Sequence, residues 1–396
     1  MYLQLATIAL LIFIYSLLSS RLAASWLSAP ILFVAAGLAF SPLGMNLIDA
    51  EADTEALHLI IDLALALILF IDAAHANFSI LKRYQVLPVR MLIIGLPGVI
   101  ALGTVVAFYI IPDFNWLDAA IAATVLAATD AALGKPVITN QWVPAKLRES
   151  LNVESGLNDG LCVPVLLLLL AIAKGQGQQD VYSFGAILVI QEIGIGVLVG
   201  LLGSYLGVHL IKYCYRKQWI TLLGLHIGST AMVIAIFATA QSLHGSGYIA
   251  AFVGGLVFGY LFKKETYQLL SSAEASAETL AMLTWFTFGS GVLLFIIPDI
   301  TWEIILYSLL SLTIIRVLPI VVSLIGAKEP LSHQLFLGWF GPRGLASIVF
   351  TIMVLNSQIE SANTITAIAT CTVIFSLIAH GISANIVINK LWKPNH

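Results

Sequence analysis

The sequence predicts an all-α integral membrane protein of about thirteen transmembrane helices, and three observations predict it. Of 396 residues, 60% are hydrophobic and 10% charged, with mean hydropathy +0.99; soluble domains run near ~45–50% apolar and ~25% charged. Apolar segments recur along the whole chain, each near the ~20 residues that a bilayer core requires. Lys and Arg collect almost entirely in alternate connections between those segments.

The segments fall at 2–20, 26–44, 57–80, 88–111, 116–139, 151–173, 183–211, 219–241, 245–262, 274–297, 300–325, 333–356 and 361–389. The first is apolar from Leu3 to Leu18 and has no basic residue before it. It is therefore expected to be an uncleaved span, because a signal peptide would begin with positive charge.

Alternate connections hold Arg21; Lys82, Arg83 and Arg90; Lys135, Lys146 and Arg148; Lys212, Arg216 and Lys217; Lys263 and Lys264; Lys328; and Lys390 and Lys393. Only three of the 18 basic residues lie elsewhere: Lys174 in the opposite set, and Arg316 and Arg343 inside spans. Positive connections stay in the cytoplasm, so the N-terminus is expected outside and the C-terminus inside, which needs an odd number of spans. The acidic "DAEADTE" and the "IPDFNW" and "IPDITW" turns then face out, with Trp116 and Trp302 as interface anchors.

No linker divides the chain, so a single membrane domain over 1–396 with no soluble regulatory domain is expected, multi-pass in the cell membrane. Net charge −3 says nothing about nucleic acid, and no basic run suggests it, so no nucleic-acid partner is expected. No G-x-x-x-x-G-K-[ST] loop marks an ATP engine, and Cys162, Cys214 and Cys371 form no metal or disulfide spacing. Neither an enzyme nor a cofactor is indicated.

The fifth span contains "AATDAALGKP" and the twelfth "WFGPRGLAS". Both interrupt an apolar helix with polar residues, Gly and Pro. Matching interruptions in two halves of a chain point to a midplane binding site in a transporter. Seven spans separate the two segments, so they cross in opposite directions, as inverted repeats (approximately 1–173 and 219–389) demand. Ordinary kinks and helix ends are the plainer alternative.

A charge at the bilayer centre costs at least ~2.5–3.5 kcal/mol and marks function by default. The candidates are Asp72, Asp130, Glu154, Asp159, Glu192, Arg316 and Arg343, with Asp62, His75 and His226 less central. On a wheel of ~100° per residue with Glu154 at zero, Asn158 falls at about 40°, Ser155 at about 100° and Asp159 at about 140°. One arc is thus polar and must look into the bundle, with Gly156 and Leu157 pointing away. A capped helix start, with Asn152 capping, accounts for Glu154 but poorly for Asp159 two turns in. Asp130 beside an interrupted backbone offers the mixed oxygens that a hard cation takes in place of water, and Thr129 or Ser155 can complete the shell; a helix-terminal Asp in water is the alternative. Arg316 needs a partner, and Glu154 is the obvious one. Arg343 either snorkels or balances the carboxylates, while Glu192 and Asp62 lack company and are expected near interfaces. His75, His209, His226 and His380 are expected to be satisfied or interfacial.

"NVESGLNDG" resembles the E-x-x-x-N-D signature of the NhaP-type, sodium/proton-exchanger branch of the monovalent cation:proton antiporters. "ATDAALGKPV" is similar to that family's T-D segment, "LILFIDAAHANF" to its third-span motif, and "GWFGPRGLASIVF" to its G-x-R-G segment. The resemblance covers nearly the whole chain. It implies an inverted-repeat antiporter fold, with the fifth and twelfth helices interrupted and crossing near the midplane, and a homodimer. By position it implies that Asp159 binds cation and proton in turn, beside Asn158, and that Thr129, Asp130 and Ser155 contribute to a Na⁺ site with Asp159. It makes Glu154 and Arg316 a structural ion pair, with Arg343 and Asp72 supporting the electrostatics. One departure stands out: many relatives carry Glu-Gly-Gly after the third-span Phe, whereas Phe70 is followed here by Ile71, Asp72, Ala73 and Ala74.

A free aqueous aspartate, with pKa ~3.9, carries no proton at neutral pH; burial and a neighbouring carboxylate disfavour its ionised form. A buried acid can then hold a proton or a cation, and the bare site is the state least able to cross. With Asn158 unable to titrate, one proton per cation is expected, hence electroneutral exchange of Na⁺, Li⁺ or K⁺. The rival reading is a cation-coupled symporter that binds an organic anion at Arg343.

Overall fold

The computed structural model describes residues 2–23, 28–45, 54–75, 86–130, 133–174, 181–262 and 266–392. Lys82, Arg83, Lys263, Lys264, Lys393 and most of the acidic 49–55 stretch lie outside them. Among the described residues every regular element is helical: α1 Tyr2–Ala23, α2 Ala29–Phe40, α3 Thr54–His75, α4 Val86–Ile110, α5 Trp116–Val125, α6 Lys135–Ile138, α7 Ala145–Lys174, α8 Val181–Arg216, α9 Leu222–Ser242, α10 Gly247–Phe262, α11 Thr266–Thr287 (followed by a π turn Phe288–Val292 and short turns Leu293–Ile296 and Ile297–Asp299), α12 Trp302–Leu312, α13 Ile314–Ser323, α14 Leu331–Trp339, α15 Leu345–Ser357 and α16 Ala362–Trp392. Six stretches among the described residues are long and apolar enough to cross a membrane: α4, α7, Ile190–Arg216 of α8, α9, α12–α13 together, and α16. Shorter apolar helices include α2, α5, α10 and α15.

Three departures from the hydropathy reading have local causes. The sixth span is longer than expected, because α7 begins at Ala145 just after Pro144, in polar sequence that an apolar window passes over. The fourth contains a π turn, Met91–Gly95, where the Leu96 N–H reaches back to the Met91 carbonyl. Pro97 follows and has no N–H for the Ile93 carbonyl, the kind of lost helical bond that a π turn absorbs. The eleventh is broken at Thr313 (φ −107°, ψ −95°), which ends α12 and begins α13.

The chain forms two compact units. The first comprises residues 1–58, 86–155 and 281–396. Its core gathers Leu87 and Met91 of α4, Leu147 and Leu151 of α7, Ile320 of α13, Phe336 of α14 and Ile388 of α16, all at most 3% exposed. Burying such side chains contributes about 1.5–3 kcal/mol each against water, but only packing and dispersion against lipid. At one end of this core, Glu329, in the connection between α13 and α14, accepts from Lys146 of α7 and from His333 Nδ1 at 2.8 Å. Gln334 Nε2 donates to the Glu329 carbonyl, 2.9 Å.

The second unit comprises residues 59–85 and 156–280. Small residues let its helices approach backbone to backbone, as lipid-embedded interfaces require. A Cβ at Gly255 or Gly259 of α10 would strike the carbonyl oxygens of Phe70 and Ala74 on α3. Asp62 has company after all: the Tyr248 hydroxyl donates to its carboxylate at 2.7 Å, a cross-helix pairing that sequence spacing does not reveal. His75 Nε2 lies 3.2 Å from Glu274.

Burial pushes the Glu329 carboxyl up, but the bonds from Lys146 and His333 outweigh it and hold its pKa below the usual 4.5. A carboxyl with a lowered folded pKa contributes stability that is full above its unfolded value and lost as pH falls through the folded one. Glu329→Gln is therefore expected to lower the melting temperature at pH 7 by an amount worth about 1 kcal/mol or less. The difference from the parent protein should shrink below pH 4.5 in melts of detergent-solubilised protein.

Candidate functional site

The site is assembled where two helices stop short. Helix α5 ends at Val125, and residues 126–130 leave helical geometry before α6 begins at Lys135. Helix α14 ends at Trp339, because a residue before proline is pushed out of the helical region and Pro342 follows Gly341; α15 resumes at Leu345. Each break leaves unpaired backbone groups and a partial charge, positive at a helix N-terminus and negative at a C-terminus. In hydrocarbon those must be answered by protein.

The two breaks answer each other. The Asp130 N–H donates to the Pro342 carbonyl at 2.8 Å. The Asp130 carboxylate accepts the Leu345 N–H at 2.9 Å through Oδ2 and the Leu133 N–H at 3.3 Å through Oδ1. A negative side chain thus sits on the positive end of α15. In return Arg343 Nη1 donates to the Ala127 and Ala128 carbonyls at 3.0 and 3.3 Å, and Ser347 Oγ to the Val125 carbonyl at 3.1 Å. A positive side chain thus sits on the negative end of α5. Arg343 is fully buried, so it does not snorkel; the carbonyls freed by the break hold it inside. Gly344 makes the approach possible, since a Cβ there would collide with the Asp130 carboxylate.

A second set of bonds fixes the α14 side of the break. The Arg343 N–H donates to Ser376 Oγ at 2.7 Å. Ser376 Oγ lies 3.1 Å from His380 Nδ1, and His380 Nε2 lies 2.9 Å from the Trp339 carbonyl. Nδ1 also lies 3.0 Å from the Ser376 carbonyl, so both ring nitrogens face backbone carbonyls, one at each end of the ring. His380 is accordingly spent on the last turn of α14.

Helix α7 supplies the remaining groups. Glu154 lies more than two turns inside it, so neither Glu154 nor Asn152 is a helix cap; the polar turns from Ala145 onward had hidden the true start. Arg316 of α13 grips Glu154 with both arms, Nη1 to Oε1 at 2.8 Å and Nη2 to Oε2 at 2.9 Å. Both side chains are at most 1% exposed. Gly341 passes so close to this guanidinium that a Cβ would lie 2.5 Å from Nε. Ser155 Oγ meets Thr129 Oγ1 at 3.1 Å, both buried. Asn158 and Asp159 follow one turn later on α7, 0% and 5% exposed. Asp72, half-buried on α3, packs against Gly156, with 3.2 Å between its Cβ and a Cβ built on that glycine. Gly156 therefore does not point away into empty lipid.

Among the sequence candidates, Thr129, Asp130, Glu154, Ser155, Arg316 and Arg343 are joined by the crossing and by α7. His226 is held elsewhere, its Nδ1 3.1 Å from Ser271 Oγ and from Ser272 Oγ. Glu192, half-buried, lends its carbonyl to the Ser246 N–H at 3.1 Å. The residues that sequence reasoning missed are Ser347 and Ser376, whereas His380 is satisfied by its neighbours, as expected. A hydroxyl in the first turn after a Pro-Arg-Gly break, as at Ser347, is the one available signal.

Discontinuous membrane helices whose ends are neutralised by buried, exchanged charges define a class of ion-handling membrane protein. Within it, the chain belongs to the sodium/hydrogen exchanger transmembrane family, which it matches over residues 7–390. Its fold is similar to that of the sodium proton antiporter MjNhaP1 from Methanocaldococcus jannaschii, with TM-score 0.78 over 98% of this chain and 99% of that one at 20% identity. It is 25% identical to the K(+)/H(+) antiporter NhaP2 of Shewanella oneidensis over 276 residues, 68% of this chain and 47% of the relative. It is 26% identical to the K(+)/H(+) antiporter NhaP of Alkalimonas amylolytica over 376 residues, 92% and 62%. The Na(+)/H(+) antiporter 2 of Zygosaccharomyces rouxii is 28% identical over 276 residues, 64% and 33%. The chain spans about half the length of the first of these relatives.

Removing one partner of a buried ion pair leaves the other charge stranded, at a cost of ~3–5 kcal/mol. Glu154→Gln is expected to lower thermal stability sharply in detergent. Gly344→Ala should instead push the Asp130 carboxylate off the α15 terminus; its signature is loss of protection in hydrogen exchange at residues 345–348, with the remote core unchanged.

Proposed function

We propose that this chain is a secondary active monovalent cation:proton antiporter in which Asp159 binds a cation and a proton in turn. The observation that carries the reading is a carboxylate buried to 5% exposure one turn beyond Ser155, whose hydroxyl pairs with Thr129 at the broken stretch. Burying an ionised carboxylate carries a desolvation cost. Either a proton or a cation relieves the cost, and both cannot bind at once. The loaded site rocks between the two sides; the bare site does not. That restriction couples the two flows.

The roles follow from the chemistry available. Asp159 exchanges the ions; Thr129, Ser155 and Asn158 offer uncharged oxygens to a dehydrated cation, and Asp130 adds negative charge nearby while it caps α15. Glu154 and Arg316 hold α7 in register. Asp72, against Gly156, supports the field around α7. Arg343 balances the carboxylates from the α5 terminus. Exchange is electroneutral, one proton per cation, because Asn158 cannot titrate. Na⁺ is the expected cation, with Li⁺ and K⁺ as alternatives; relatives carry names of both Na⁺ and K⁺ antiporters. The protein works as a homodimer in the cell membrane, N-terminus outside and C-terminus inside, in keeping with its basic connections.

An organic-anion symporter would need a cation open to its substrate. Arg343, fully buried and donating to Ala127 and Ala128, argues against that rival.

The test is proton flux in proteoliposomes on addition of NaCl, LiCl or KCl across pH. Asp159→Asn is expected to abolish exchange in protein that still folds and inserts. A rate that rises with imposed membrane potential would overturn the one-for-one stoichiometry, since an uncompensated charge gains about 2.3 kcal/mol per 100 mV. Exchange that survives in Asp159→Asn would overturn the site.

A further inference from the structure

Away from the crossing, the second unit contains a cavity of about 620 Å³ that the transport reading does not use. It lies where α8 ends, α9 begins, α10 ends and α11 begins. Lys212, Arg216 and His226 contribute its polar wall, and Leu225, Leu261 and Phe262 its apolar one. Its volume falls within the ~300–1,000 Å³ of ligand-binding pockets.

Three observations fix the chemistry of an occupant. The first is charge of one sign. Lys212 is anchored by a bond to the Leu261 carbonyl at 2.8 Å and lies 4.9 Å over the Phe262 ring. That leaves two of its three ammonium protons, and the exposed Arg216 guanidinium adds more donors one turn away. Among the described residues that line it there is no carboxylate. The second is the first turn of α9: Leu222 and Leu225 line the cavity, so the positive end of a 21-residue helix lies beside it, with the Gly224 N–H capped by Thr221 Oγ1 at 3.0 Å. The third is depth. Tyr213, Tyr215 and Trp219 are 50%, 65% and 70% exposed beside it, and exposed Tyr and Trp mark the level of lipid headgroups.

A pocket half basic and half apolar at headgroup depth fits an anionic amphiphile. We propose that it binds the phosphate headgroup of an anionic membrane lipid, with Lys212 and Arg216 on the phosphate and the apolar wall against the glycerol and upper acyl chain. Basic pockets between membrane helices bind anionic lipid headgroups elsewhere by the same balance of forces. The shared chemistry with free phosphate is the anion; the apolar wall is what favours lipid.

The test uses the full chain, delipidated in neutral detergent, with three probes: dioleoyl phosphatidylglycerol, dioleoyl phosphatidylcholine and inorganic phosphate. Retained lipid is counted by native mass spectrometry, and melting temperature is read alongside. Phosphatidylglycerol should be retained and raise the melting temperature; phosphatidylcholine, with the same chains, should not. Arg216→Gln should weaken retention about fivefold, which is ~1 kcal/mol at 1.4 kcal/mol per decade. Lys212→Gln should weaken it at least as much, and Arg216→Gln decides alone if loss of the Leu261 anchor unfolds that variant. Lys217→Gln, exposed next door but not lining the cavity, should leave retention unchanged. Equal retention of phosphatidylcholine, undiminished retention in Arg216→Gln, or an equal loss in Lys217→Gln would each overturn the proposal. So would inorganic phosphate reproducing the stabilisation and displacing the lipid. Proton flux through Asp159 is a separate readout, so failure here leaves the transport reading standing.

Discussion

The structure depends on one electrostatic exchange. A helix broken inside a bilayer exposes backbone groups that no water can satisfy, and two breaks double the problem. Here each break supplies what the other lacks. Asp130, beyond the negative end of α5, serves the positive end of α15, while Arg343, just before α15, serves the carbonyls beyond α5. Neither charge would be tolerable in its own segment alone. Placed across the crossing, each cancels a dipole end and holds the opposite segment in place.

That exchange explains why small residues surround the site. Gly344 must lack a side chain for the Asp130 carboxylate to reach the Leu345 N–H, and Gly341 must lack one for the Arg316 guanidinium to pass. The same guanidinium clamps Glu154 on α7. The crossing, the ion pair and α7 therefore share atoms, and a shift in one displaces the others. Ser155 ties α7 to the broken stretch through Thr129, one turn before Asn158 and Asp159.

Membership of the sodium/hydrogen exchanger family and likeness to MjNhaP1 in fold fit this economy of charge. Relatives named for potassium and for sodium both align with the chain at about a quarter identity. The oxygen donors that such residues present serve either ion. Preference rests on cavity size and coordination number, which side-chain identity does not encode.

The sequence by itself determined the fold class, because hydrocarbon accepts only helices and closed barrels, and apolar runs of helix-spanning length select the first. It pointed to two interrupted segments, through Pro342 and the Gly-Lys-Pro of residues 134–136, although α5 stops earlier, at Val125, and Lys135 and Pro136 begin α6. It also singled out Glu154 and Arg316, as buried charges that had to find opposite partners. Only the tertiary structure decided what those breaks do. Nothing local to "PRGLAS" says that Arg343 will serve Ala127, or that Asp130 will serve Leu345, because those bonds link residues more than two hundred positions apart. The start of α7, the π turn in α4 and the break at Thr313 were hidden for a related reason. Hydropathy measures how each side chain sits in lipid, whereas helix geometry is set by backbone hydrogen bonds, and Pro97, Thr313 and the polar turn at Ala145 alter the second with little trace in the first.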